Sequence, residues 1–154
     1  MSEPPSLLRD SFPADRRAPA KARRAVRTWL SGRGADPARL SDVLLAVSEV
    51  VTNCVVHAYR ESGSGEVAME AHHRGDTLVL SVADHGMGMS PRADSPGLGL
   101  GLPLVGRIAE RVDIVAPAEG GTQVRMSFAL GPGTAGDQAG QRARTPAVPP
   151  RLHR

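Results

Sequence analysis

The chain has 154 residues, a mass of 16.2 kDa and 40% apolar residues, enough for one ordinary hydrophobic core and little for a second. No apolar run approaches the ~20 residues of a membrane span, residues 1–12 lack the basic-then-apolar pattern of a secretory signal, and a single cysteine, Cys54, excludes an intramolecular disulfide and a cysteine metal cage. The net charge of +3 is unevenly spread: residues 1–35 carry eight basic and three acidic side chains, residues 36–130 seven and twelve, and residues 131–154 four and one.

The expectation is a cytoplasmic protein with one domain over residues 1–130, Cys54 acting as a small buried hydrophobe. The basic excess lies outside the acidic middle. With one Trp, one Tyr and two Phe in the whole chain, the composition argues against a base-stacking, nucleic-acid-binding surface.

In chain order, Ser6–Phe12 reads as an edge strand, followed by a turn at Phe12-Pro13-Ala14-Asp15. A helix follows: Pro19 suits its first turn, Ala22, Val26, Trp29 and Leu30 recur at helical spacing, and Gly32 and Gly34 end it. Its other face carries Lys21, Arg23, Arg24 and Arg27, either a solvated face or a surface for a partner. Asp36-Pro37 is a start signal for a second, longer helix. Leu40, Val43, Leu44, Val47, Val50, Val51, Cys54 and Val55 give that helix a broad apolar face, and the linker Glu61–Gly65 breaks its pattern.

Two stretches of period-two alternation come next, Val67, Met69 and Ala71 in one and Leu78, Leu80 and Val82 in the other. Joined across Arg74-Gly75-Asp76, they form a hairpin. After a loop from Asp84 to Pro96, Leu100–Glu110 reads as a helix and Val112–Val115 as a strand. Thr122, Val124, Met126 and Phe128 are the inward face of a last strand. The fold class expected is α+β, a two-layer α/β sandwich with helices on one face of a mixed or antiparallel sheet. Residues 131–154, rich in Pro, Gly and small polar residues, are expected to form a disordered basic tail.

Three polar clusters interrupt these apolar patterns. Glu49, Asn53 and His57 fall at i, i+4 and i+8 and so share one stripe of the long helix. Burying Glu and Asn among Val and Leu is costly unless the stripe faces a cleft. There, an Asn carbonyl suits a hard cation such as Mg2+, and a carboxylate can take a proton from an attacking hydroxyl; an exposed polar helix edge would account for the same stripe. Asp84-His85-Gly86-Met87-Gly88 follows a strand end, where glycines admit close approach of a ligand and a carboxylate accepts from an exocyclic amine. Gly97-Leu98-Gly99-Leu100-Gly101 opens a helix whose free N–H groups suit phosphate. Each of these alone is also compatible with a turn or a loop. No Gly-Lys-Ser/Thr is present, and the glycine run comes too late for a dinucleotide fingerprint.

Taken in order and spacing, Glu49-x-x-x-Asn53, Asp84-x-Gly86-x-Gly88, Gly97-x-Gly99-x-Gly101 and Gly121-Thr122 closely resemble the GHKL ATPase superfamily of gyrase, histidine kinases and heat-shock chaperone ATPases. The run from Leu45 to Asn53, continuing to His57-Ala58-Tyr59, looks most like the anti-sigma-factor serine/threonine kinases. The resemblance covers about residues 6–130.

It implies the Bergerat ATP-binding fold, with ATP and Mg2+ as cofactors. Asn53 would hold the metal, Asp84 would read adenine, and Gly86, Gly88, Gly97, Gly99 and Gly101 would shape the pocket. Glu49 would be the catalytic base for a partner's serine. Thr122 would add a hydroxyl near the nucleotide or serve as a plain strand residue. The implied partners are a sigma factor, an antagonist protein or both, and homodimers are common in the resembled family.

The chain departs from the pattern in Ser95-Pro96 before the glycine run, with Arg92 the nearby cation, in a short segment from His85 to Pro96, and in Ala58 where glycine is frequent. Two other readings are an ATP-dependent partner-binding module without catalysis and a histidine-kinase-like domain acting in trans. The latter lacks a phosphoacceptor helix hairpin.

Overall fold

A computed structural model of the chain describes residues 7–61, 65–84, 101–116 and 120–131, with the backbone alone at 57–61 and at Gly101. The elements run β1 (Leu7–Pro13), α1 (Ala18–Leu30), α2 (Pro37–Glu61), β2 (Glu66–Arg74), β3 (Thr77–Asp84), α3 (Gly101–Ile108), β4 (Arg111–Val115) and β5 (Thr122–Ala129). The sheet has the order β1-β2-β3-β5-β4, and all four pairings are antiparallel. This resolves the expected "mixed or antiparallel" sheet in favour of the second.

Alternation dictates which face of each strand is buried. Val67, Met69 and Ala71 of β2, Leu78, Leu80 and Val82 of β3, and Val124, Met126 and Phe128 of β5 are all buried. The helices cover that face: α2 packs between α1 and α3 and also rests on β2, β3 and β5. Val43, Val47, Val50 and Val51 of α2 are almost wholly removed from water, each stabilising the fold by about 1.5–3 kcal/mol relative to exposure.

Local chemistry sets the boundaries. The Asp15 carboxylate accepts the Arg17 N–H at 2.7 Å just before α1, and Pro19 occupies its first turn. Gly32 and Gly34 follow α1 with φ of +80° and +72°, a region that favours glycine. Beyond α1, the Arg33 guanidinium lies 4.4 Å over the Trp29 ring and its Nε donates to the Trp29 carbonyl at 2.7 Å. The Asp36 N–H donates to the Leu130 carbonyl at 3.1 Å and the Asp36 carbonyl accepts from Leu40 at 2.8 Å. The start of α2 is thereby tied to the end of β5.

The sequence-based boundaries hold to within one or two residues, β1 starting at Leu7 and the third helix ending at Ile108. The loop after Asp84 and the expected tail, apart from Gly131, lie outside the described residues. No described helix is long and apolar enough to cross a membrane.

Candidate functional site

Helix α2 packs on β3 and β5, and its Cys54 lies beside Asp84 at the end of β3. Asp84 is the last residue of β3 and continues the inward face of Leu78, Leu80 and Val82. Directly across the ladder stands Thr122, the first residue of β5, 4% exposed. The chain enters β5 through Gly120 and Gly121, with φ of +94° and +83°. Side chains rarely adopt that backbone, so the glycine pair is what lets Thr122 begin its strand there.

On α2, Asn53 is 9% exposed, and its Nδ2 is buried without a hydrogen-bond partner. A buried amide left unpaired costs about 1–3 kcal/mol. Among the described residues it is the one buried side-chain nitrogen or oxygen so left, as a site made for a polar ligand would leave it. One turn earlier, Glu49 is half-buried. Its neighbour Ser48 accepts a 2.7 Å hydrogen bond from Arg23 Nη1 of α1, which ties the two helices together beside Glu49.

Cys54 is buried, as expected of a small hydrophobe, but it also has a polar role that the sequence did not disclose. Burial pushes its thiol up to about 12, and the neighbouring Asp84 charge and a hydrogen bond to the Asp84 side chain push in the same direction. The thiol is therefore the donor and the carboxylate the acceptor. Cys54, Asp84 and Thr122 form one cluster, with Asn53 adjacent on the helix.

Gly101 is the first residue of α3, and Val105 anchors that helix in the core. Gly86, Gly88, Gly97 and Gly99, together with Arg92, lie outside the described residues, as does the side chain of His57. The basic face of α1 divides: Lys21, Arg24 and Arg27 are exposed, whereas Arg23 is half-buried and engaged with Ser48. A groove of about 520 Å³ between α1 and α2 is lined by Arg16, Pro19, Thr52, Val55 and Val56. Among the described residues no group of three or more His, Cys, Asp or Glu side chains converges to hold a metal ion.

Comparison with known proteins identifies the family of the chain. Residues 12–128 match the family profile of the histidine kinase-like ATPase domain, an interval that begins in β1 and ends in β5. The anti-sigma F factor of Thermoanaerobacter sp. (strain X514) is 29% identical over 103 residues, 60% of this chain and 71% of that protein. The anti-sigma F factor of Clostridium botulinum (strain Eklund 17B / Type B) is 29% identical over 118 residues, 70% of this chain and 82% of that protein. Among solved structures, the RsbU and RsbW domains of Rv1364c from Mycobacterium tuberculosis superpose with a TM-score of 0.64 at 28% identity, over 80% of this chain and 32% of that longer one. The resemblance to the anti-sigma-factor branch, first carried by the motifs, extends to these relatives.

Proposed function

Because the chain belongs to the histidine kinase-like ATPase domain family, we propose that it is an anti-sigma factor that binds ATP and transfers the γ-phosphoryl group to a serine or threonine of an antagonist protein in the cytoplasm. The observation that carries this reading is the buried, unpartnered Asn53 amide one turn from Glu49, on the helix whose next residue, Cys54, lies beside Asp84. A polar group unpaired in the free protein fits a ligand that completes it.

Bound Mg-ATP supplies the transferable phosphoryl group and the cation that neutralises its charge. The work of the chain is to bind and position. Asp84, with its carboxylate at the mouth of the sheet, accepts from the exocyclic amine of adenine, and the Thr122 hydroxyl adds a second polar contact at the same strand ends. The Asn53 carbonyl is a suitable ligand for a hard cation that keeps most of its water. The other ligands of such a cation would include water and phosphate oxygens. Gly86, Gly88, Gly97, Gly99 and Gly101 would let the backbone approach the nucleotide. Glu49, half-buried on α2, takes the proton from the attacking hydroxyl of the partner.

Sequestration of a sigma factor comes to this chain from its relatives, anti-sigma F factors by name. The experiment is capture of native partners on the protein, followed by γ-labelled ATP with Mg2+, comparing wild type with Glu49→Ala. A labelled partner that disappears in the variant supports a kinase with Glu49 as base. Partners retained with no label in either protein would replace the kinase with a nucleotide-dependent binding module.

A further inference from the structure

We propose that the groove between β1 and α1 is a docking site for an acidic amphipathic helix of a partner protein. It lies on the side of α1 that faces the edge strand, whereas α1 meets α2 through Arg23 and Ser48. The surface is therefore separate from the residues assigned to phosphoryl transfer.

The groove has a volume of about 630 Å³. Its floor is apolar: Phe12 and Trp29 are buried and Leu8 and Ala25 partly so. Arg33 lies 4.4 Å over the Trp29 ring and holds the indole as a rigid wall. The rim is basic, with Lys21 and Arg24 exposed one turn apart on α1. Residues 15–33 as a whole carry seven basic side chains and one acidic one, so the field over the groove favours an anionic occupant. An apolar floor under a cationic rim complements a ligand that joins apolar side chains to carboxylates.

β1 is at the end of the sheet order, and a strand added beside it would be the other way to fill the groove. Asp10 opposes that. It places a charge on the inward face of an edge strand, which discourages strand addition, and its carboxylate accepts the Ser11 N–H at 2.8 Å. A helix lying in a groove needs no backbone bonds from the edge. Leu8 to Phe12 spans about 13 Å of strand and Lys21 to Trp29 about 12 Å of helix. That length seats about two turns of a helix with apolar anchors at i, i+3 or i+4, and i+7. A membrane is too flat to reach a concave floor, and a nucleic acid has no aliphatic side chains to fill it.

The test measures, on the full chain, the binding of a fluorescein-labelled helical peptide with Leu at i, i+4 and i+7 and Glu at the flanking positions. A copy with Gln in place of every Glu is the comparison. Lys21→Glu/Arg24→Glu, Arg27→Glu and Thr28→Arg change only exposed residues, so the core is untouched. Thr28 lines the groove and Arg27 does not. Thr28→Arg adds a positive charge while filling the groove, which separates recognition by shape from attraction by charge. We expect saturable binding of the Glu peptide to wild type. Binding should be about tenfold weaker for the Gln peptide, for the double charge reversal and for Thr28→Arg, the scale of a lost charged hydrogen bond. Arg27→Glu should stay within about threefold of wild type, as for an exposed charge outside the contact. No saturable binding of the Glu peptide up to about 1 mM, or equal binding of the Gln peptide, overturns the proposal. So does unchanged or tighter binding to Thr28→Arg, or a loss in Arg27→Glu as large as in the double reversal. Phosphatidylglycerol vesicles or a single-stranded oligonucleotide that bind more tightly than the Glu peptide, and lose affinity in the double reversal, give the surface to a membrane or a nucleic acid and overturn it as well.

Discussion

Asp84 and Thr122 face each other across the β3–β5 ladder, the last residue of one strand against the first residue of the other. Two polar side chains thus meet where an inward face otherwise made of Leu, Val, Met and Phe runs out. Thr122→Val keeps the β-branched shape that suits a strand and removes only the hydroxyl. The expected outcome is a folded protein whose ATP affinity falls about threefold to tenfold, the range of one lost hydrogen bond. Calorimetric titration checks it, and an unchanged affinity would reduce Thr122 to a strand former.

Asn53 gives the opposite balance between stability and binding. Its Nδ2 is buried and unpaired in the free protein, a penalty of about 1–3 kcal/mol that Asn53→Ala relieves at the cost of a small void. The nucleotide-free variant should therefore melt at or above the wild-type temperature while losing Mg-ATP binding. A thermal melt with and without Mg-ATP separates the two effects. Strong destabilisation of the nucleotide-free variant would show that the amide supports the fold and would remove the main argument for a ligand there.

The Cys54 thiol makes stability depend on alkaline pH. Its pKa rises from 9.0 to about 12 in the folded protein, chiefly through burial, so between those values the unfolded chain has lost a proton that the native state still holds. Stability then falls as pH rises. The contribution is fully present below pH 9.0 and declines with a limiting slope of about 1.4 kcal/mol per pH unit. Denaturant titrations from pH 8 to 11 should show this loss in wild type and a shallower one in Cys54→Ala. Equal slopes in the two proteins would mean that the thiol ionises as easily in the folded state as in the unfolded one.

Most of the fold was legible because its signals are local and periodic. The alternation in β2, β3 and β5 and the apolar face of α2 follow directly from burial of one face, and Asp36-Pro37, Gly32 and Gly34 mark boundaries by backbone chemistry alone. The stripe of Glu49 and Asn53 was legible for the same reason, as polar residues inside an apolar pattern. What remained hidden depends on contacts between elements distant in the chain. Nothing in the run around Cys54 announces Asp84, thirty residues on, as its acceptor. Likewise Arg23 reads as one more cation on a basic helix face until α1 packs on α2 and brings it to Ser48. The one sequence cue was the position of Ser48 itself, a small polar residue next to Glu49.

The Arg23–Ser48 contact is the last point at which the fold and the site can be separated. Arg23 Nη1 donates to Ser48 Oγ at 2.7 Å from a half-buried position, and Lys21, Arg24 and Arg27 on the same helix are exposed. Arg23→Ala should therefore destabilise the protein by about 1 kcal/mol, and the same change at Arg24 or Arg27 should stay within about 0.5 kcal/mol. A double-mutant cycle with Ser48→Ala isolates the pair, since the two residues share one contact and the coupling energy should account for most of the Arg23→Ala effect. Because the bond fixes the turn of α2 that carries Glu49, Arg23→Ala should also lower phosphoryl transfer more than it lowers ATP binding. If Arg24→Ala and Arg23→Ala prove equal in both stability and transfer, the contact contributes nothing specific, and the basic face of α1 acts only through its net charge.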